Sequence, residues 1–228
     1  MPFPLHPTHR TLVPTVVLAL AIVGVLMSPN TPAQSATTQI DLSAMKPGKA
    51  PDDFAFSRTG SGDVGEWRVM DDPTASNQRV IAQTSTDKTD YRFPIAVYQR
   101  ISAKNVDVKV RFKPVGGKVD QAGGIVVRLT TPDDYYVVRA NALEDNVRFY
   151  RVVKGRREQI EGADLKVSAQ AWHLLGLKAE GNRFTVAFDG RELYTASDDA
   201  MPGPGRVALW TKSDSVTRFD RVEIKTLP

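Results

Sequence analysis

The chain has 228 residues, a formal net charge of +4 and no cysteine. Without cysteine there is no disulfide, no thiolate metal site and no cysteine nucleophile, so a packed core alone must hold the fold. Two of the three histidines, His6 and His9, fall in the first ten residues; His173 is left alone, which argues against a histidine metal cluster or a Ser-His-Asp triad with spare partners.

At the amino terminus Arg10 precedes an apolar run from Leu12 to Met27, followed by small and polar residues from Ser28 to Ala36. This is the order of a secretory signal peptide, with Ala33 and Ser35 placed for a cut before Ala36. The run is shorter than the roughly 20 residues that span a bilayer, and Pro14 lies inside it. Residues 1–35 are therefore expected to be a signal peptide and the mature chain to be secreted or periplasmic, with no stable membrane span; a retained anchor is the alternative. The remainder carries 29 basic and 26 acidic side chains, about +3, spread along the chain. That balance leans slightly toward an anionic partner. No Lys/Arg cluster sits in a nucleic-acid motif, and no nucleic-acid partner is expected.

Residues 36–52, with Pro47, Gly48 and Pro51, read as a linker or lead-in strand. Residues 53–228 read as a single β-sandwich domain, since about 190 residues fill one sizeable core. Strands are predicted near 66–70, 79–83, 96–101, 106–113, 124–129, 135–141, 147–153, 157–160, 173–179, 183–188, 192–195, 205–211 and 215–226, from β-branched and aromatic runs separated by Gly, Pro, Asn and Asp. Lys154-Gly155, Glu180-Gly181-Asn182 and Asp189-Gly190 supply the positive φ of hairpin turns. Only residues 164–172 leave room for a helical turn. Strands at this spacing mean an all-β sandwich or barrel.

Alternation assigns faces. Val106, Val108, Val110 and Phe112 oppose Asp107, Lys109, Arg111 and Lys113. In the central run Ile125, Val127, Leu129, Tyr136, Val138, Val147 and Phe149 are expected inside, and Arg128, Tyr135, Arg139, Asn141, Asn146, Arg148 and Tyr150 on a wet face. Trp210 shares that outward parity, whereas Trp67 and Trp172 are expected in the core.

These motifs carry a resemblance. Gly65-Glu66-Trp67-Arg68-Val69, Ala122 to Arg128, Tyr135 to Asn141, Trp172-His173, Phe188-Asp189-Gly190, Gly205 to Trp210 and Phe219-Asp220-Arg221-Val222 together resemble the concanavalin A-like jelly rolls, and among them the secreted 3-keto-disaccharide hydrolase-type domain of unknown function. The resemblance implies two curved antiparallel sheets, one of them concave and ligand-facing, with carbohydrate chemistry as a loose expectation because the fold also hosts adhesion modules. The Glu-x-Asp-x-x-Glu strand of laminarinase-like glycosidases, which sets two carboxylates at double-displacement spacing, has no counterpart here.

The candidate ligand-binding set is therefore Arg128, Tyr135, Arg139, Asn141, Asn146, Arg148, Tyr150 and Trp210. Planar guanidiniums beside amides and aromatic rings suit a carbohydrate or a small anionic ligand; the plainer reading is an exposed face solvated by arginine. Catalytic residues are unassigned, and the direction of Glu66, Asp120 and Glu144 decides between an enzyme and a binder. His173 reads as a strand residue. No cofactor is expected, although Asp133-Asp134, Asp198-Asp199 and Asp214 are loop carboxylates of the type that hold Ca²⁺ or simply cap turns. Two functional readings stay open: an exported domain that binds or hydrolyses a sugar on its concave face, and a non-catalytic module that docks a protein or envelope polymer.

Overall fold

Alternating β-branched and polar residues build a two-sheet antiparallel jelly-roll sandwich. The computed structural model describes residues 1–4 and 35–228, so the apolar run of the expected signal peptide lies outside the described residues. The strands are β1 (Thr37–Gln39), β2 (Phe54–Gly60), β3 (Trp67–Asp71), β4 (Arg79–Gln83), β5 (Arg92–Ala103), β6 (Val106–Gly116), β7 (Ala122–Thr131), β8 (Asp134–Asn141), β9 (Asn146–Val153), β10 (Arg156–Asp164), β11 (His173–Glu180), β12 (Arg183–Phe188), β13 (Arg191–Ser197), β14 (Gly205–Trp210) and β15 (Val216–Thr226). One sheet, A, runs β13-β12-β11-β6-β15-β4-β3 with β1 also on β15; the other, B, runs β10-β9-β8-β7-β14-β5-β2.

Each predicted strand has an observed counterpart, and two more appear. β1 pairs with the end of β15, Thr37 opposite Lys225. β2 pairs along β5, Ser57 opposite Ile95. Both are short stretches flanked by Pro, Asp or Gly, whose turn signals mask the strand between them. The helical turn considered at 164–172 is absent: β10 runs on to Asp164, and the amides of Leu165 and Val167 are taken by Asp145 rather than by a helix of their own.

Between the sheets, Val108, Val110, Phe112, Leu177, Phe184, Val186 and Phe219 of sheet A meet Ile125, Val127, Tyr136, Val138, Phe149 and Leu209 of sheet B. Two neighbouring parity assignments in β7 are reversed. Arg128 adopts φ 53° at an irregularity in the β7–β8 pairing, and the extra residue carries its side chain into the rim of this core, over the Phe184 ring. There it donates to the carbonyls of Lys104, Met201 and Gly181. Leu129, expected inside, packs on the far side of sheet B instead.

That far side is the main departure from the expected wet face. Phe93, Ile95, Val97, Val126, Tyr135, Val137, Val152 and Trp210 form a second apolar cluster there, most of them inaccessible to solvent. The cause is curvature. β2 and β8 are four positions apart in sheet B, about 19 Å if the sheet were flat, yet Thr59 Oγ1 lies 2.7 Å from Tyr135 Oη and donates to the Pro132 carbonyl at 2.6 Å. Sheet B therefore curls over its own outer face, and large side chains fill much of the hollow. Gly124 is required by this packing: a Cβ there would meet the Val138 carbonyl oxygen at 2.7 Å and the Trp210 ring at 3.3 Å.

Candidate functional site

The polar residues of the curled face gather at the β8–β9 turn. In that hairpin Arg139 stands opposite Arg148 and Asn141 opposite Asn146. Two like charges directly opposite would destabilise the pair, so each takes its own carboxylate. Arg139 donates Nη2 to Glu144 Oε2 at 2.6 Å and to Tyr150 Oη at 3.0 Å, with Nη1 on Asn146 Oδ1. Arg148 pairs with Asp164.

Beside this group, Asn141 donates to Asp120 Oδ1, and the other oxygen of Asp120 holds Lys212 Nζ at 2.6 Å. Lys212 also lies 3.8 Å from Asp90. The Asp214 carboxylate fixes the loop before β7, accepting from the backbone amides of Lys118, Val119 and Asp120. That loop touches the β8–β9 turn, where Ala142 N donates to the Gln121 carbonyl at 2.9 Å.

The two acids of the cluster are tuned in opposite directions. Burial pushes the Asp120 carboxyl above the usual range, against the pull of Lys212. Burial would also raise Glu144, but the charge of Arg139, hydrogen bonds from Asn146 and Arg139, and Lys212 outweigh it and hold Glu144 below its ordinary value. Glu144 stays ionised at neutral pH. Its side chain is 42% exposed, that of Lys212 is 16% exposed, and Arg139 behind them is almost closed off. The arrangement offers one ionised acceptor and one ammonium donor to solvent, Glu144 held from behind by the Arg139 guanidinium and the Asn146 amide, and Lys212 by the buried Asp120 carboxylate. The exposed Leu143 and Val119 flank it on the two touching loops.

The residues read from sequence thus separate. Arg139, Asn141, Asn146 and Tyr150 come together, though as the buried support of the site; Arg148 sits at its edge. Arg128 is not on this face, because the irregularity in β7 turns it inward. Tyr135 and Trp210 are on the face but sealed: Trp210 stacks on Phe93 at 5.2 Å, and its indole reaches Tyr135. Neither ring can stack on a ligand from there. The exposed Glu144, the buried Asp120, and Lys212 complete the cluster. Lys212 lies just past the end of β14 on Trp210's parity, which was the available signal. Glu66 faces elsewhere, paired with Arg68 beside β3.

Other sequence candidates have structural partners. His173 bridges Asp189 Oδ2 at 2.8 Å and the Ser168 carbonyl at 3.0 Å at the edge of the core. Trp67 is buried as expected, whereas Trp172 lies on the outer side of sheet A under Arg111 and Lys113, at 4.4 and 4.7 Å, because the strand begins only at His173. Asp134 accepts from Thr131 and Lys154 N, and Asp198 from Tyr136, Arg151 and Ala200 N. Among the described residues no group of three or more His, Asp or Glu side chains is placed to share a metal ion. A depression of about 300 Å³ on the outer side of sheet A is lined by Lys109, Leu174, Gly176, Ala187 and Gly190, with a single charged group.

Residues 75–227 match the family model described as galactocerebrosidase, C-terminal lectin domain. The chain belongs to this family. The galactocerebrosidase C-terminal lectin domain match covers β4 to β15 and the whole polar cluster. Among solved structures, the carbohydrate binding module CBM66 from Bacillus subtilis is similar at 17% identity and TM-score 0.59, over 75% of this chain and 96% of that one. A Bacillus licheniformis beta-glucanase is similar at 12% identity and TM-score 0.53, over 87% and 100%. A protein of unknown function from Shewanella oneidensis MR-1 has 16% identity and TM-score 0.53, over 84% and 86%. At these identities the likeness is one of fold, the concanavalin A-like jelly roll of lectins and glucanases. No curated protein matches the sequence.

Proposed function

We propose that this protein is an exported sugar-binding domain and that Glu144 and Lys212, at the β8–β9 turn, meet the sugar. The observation that carries the reading is the rigid backing of these two groups: Arg139 and Asn146 hold Glu144, and Asp120, itself held by Asn141, holds Lys212, so an acceptor and a donor are already positioned before a ligand arrives. Sugar hydroxyls both donate and accept, and an ionised carboxylate beside an ammonium addresses both roles with charge-assisted bonds. Leu143 and Val119 supply apolar surface for the C–H side of a pyranose. Family membership in a lectin domain and the fold likeness to a carbohydrate binding module support the same reading. Export is supported by the apolar run from Leu12 to Met27 and the small residues before Ala36.

The test is a glycan array followed by titration calorimetry with the best galactoside and with a β-glucan oligosaccharide, on wild type, Glu144→Gln and Lys212→Met. Each substitution is expected to weaken binding at least tenfold without lowering the melting temperature by more than a few degrees. Variants that bind as wild type would remove the cluster from the site.

Hydrolysis is a second reading with one specific support. Asp120 and Glu144, displaced in opposite directions within one cluster, follow the pattern of an acid and a base. Asp120 is buried under Lys212 and Asn141, which favours a binder. Release of sugar from a 3-keto-glucoside, abolished in Asp120→Asn, would reverse that preference.

A further inference from the structure

Arg157, in β10, faces the same hollow and was not singled out by its sequence neighbourhood. Its guanidinium carbon lies 4.6 Å from the Phe93 ring centre and 4.5 Å from that of Tyr150. The backbone is strapped as well: Arg157 N donates to Tyr91 Oη at 2.8 Å, Tyr91 Oη donates to the Gly155 carbonyl at 2.9 Å, and Tyr91 packs edge-on against Phe93 at 4.7 Å. The three arginines of the neighbouring strands β8 and β9 each have a carboxylate, Arg139 that of Glu144, Arg148 that of Asp164, and Arg151 those of Glu158 and Asp198. Among the described residues Arg157 has no carboxylate within ion-pair distance and its side chain makes no hydrogen bond; Nη1 is buried without a partner, and the side chain is only half-buried.

We propose that Arg157 is an anion-recognition residue and that the sugar bound by this domain carries a carboxylate, as a uronic acid does. The inference rests on the sugar-binding reading above and adds the class of sugar. Aromatic rings hold the guanidinium by its faces, so recognition is left to its edge, where two parallel N–H bonds match a carboxylate. An arginine whose rotamer is already fixed loses little freedom when it binds. The role of these contacts is not confined to closing the apolar cluster, because a lid needs no unpaired charge, and an aliphatic side chain would cover Phe93 without desolvating a cation. The position also fits one ligand. Arg157 and Arg139 lie 4.5 and 5.7 Å from the centre of the same Tyr150 ring, which puts the anion site beside the Glu144 cluster.

The experiment is titration calorimetry with trigalacturonate and with galactotriose, on wild type, Arg157→Gln and Arg157→Lys, at 0.05 and 0.5 M NaCl, with a thermal melt of each variant. Wild type is expected to bind trigalacturonate at least tenfold more tightly than galactotriose at low salt. The ratio should fall toward one in Arg157→Gln, recover only partly in Arg157→Lys, and shrink at high salt. Equal wild-type affinities for the two sugars would overturn the inference and leave sugar binding standing. A preference for the acid that survives in Arg157→Gln would overturn the assignment to this residue. Binding of neither sugar would overturn this inference, and failure of every sugar on the array would take the underlying reading with it. The salt and ligand comparisons on wild type decide the matter if a variant does not fold.

Discussion

The indole Nε1 of Trp210 donates to the phenol oxygen of Tyr135 at 3.3 Å, inside a face that alternation alone assigns to solvent. The same phenol oxygen lies 2.7 Å from Thr59 Oγ1, so three strands of sheet B are joined at one buried point. This contact makes the two aromatics structural. Trp210→Ala is expected to cost about 3–5 kcal/mol of stability, the range for removing a large buried ring, and Tyr135→Phe about 1 kcal/mol for the lost hydrogen bonds. Urea titrations would give both values; a loss below 1 kcal/mol in Trp210→Ala would contradict the packing.

Arg128 belongs to the fold in the same way. Arg128→Met keeps the aliphatic contact with Phe184 and strips the carbonyls of Lys104, Met201 and Gly181 of their donor. A loss of about 3 kcal/mol is expected, from charge-assisted bonds and stranded acceptors, with sugar affinity unchanged in the folded fraction. A weakened affinity at full stability would return Arg128 to the binding site.

Arg139 stands behind Glu144 in the proposed site. Arg139→Ala leaves Glu144 without its main counter-charge and Tyr150 Oη without its donor. Sugar affinity is expected to fall about tenfold, the scale of one charge-assisted hydrogen bond. Arg139→Lys should recover part of it, since an ammonium keeps the charge but cannot reach Asn146, Glu144 and Tyr150 together. Full recovery by lysine would mean that charge alone matters there.

Acid should weaken the fold through Asp72. Burial would raise its carboxyl, but Lys113, Thr74 and Arg218 outweigh burial and hold it far below the ordinary 3.8. A depressed carboxylate contributes its full stability above the unfolded value and loses it as pH falls toward the folded one. Stability is therefore expected to decline below about pH 4, a window shared with Asp87, whose carboxyl is brought down to about 2 by backbone and side-chain donors from Asp63 and Thr89. Urea midpoints from pH 7 to pH 2.5 would show the slope, and Asp72→Asn should flatten it. An unchanged slope in that variant would exclude Asp72 as a contributor.

Mass spectrometry of the protein from culture medium and envelope fractions tests export. The expected mature chain begins at Ala36; recovery of peptides from residues 12–27 in the mature protein would replace secretion with anchoring.

The architecture was legible because period-two alternation survives in nearly every strand: Val106 to Lys113 read correctly residue by residue. The face of the site was harder. Parity assigned Arg139, Asn141, Asn146, Arg148 and Tyr150 to one side of sheet B, and they are there. Whether that side is wet depends on curvature, which Thr59 and Tyr135 set across four strands and which no local pattern encodes. The irregularity at Arg128 was equally hidden, since nothing in Val126-Val127-Arg128-Leu129 announces an extra residue. Arg157 lay in an exposed-looking hairpin whose partner, Phe93, is 64 residues away, and a pairing so remote leaves no trace in spacing.

The curl of sheet B also bears on where an autonomous unit can begin. The family match starts at Ala75, after β1, β2 and β3, yet β2 is the strand that edges β5 and reaches Tyr135. A polypeptide beginning at Ala75 would leave one side of β5 with unpaired amides and carbonyls and open the cluster around Phe93 and Trp210 to water. An uncapped sheet edge beside exposed aromatic rings is a template for association between chains. The foldable unit therefore reaches back at least to Phe54, some twenty residues before the recognisable family sequence.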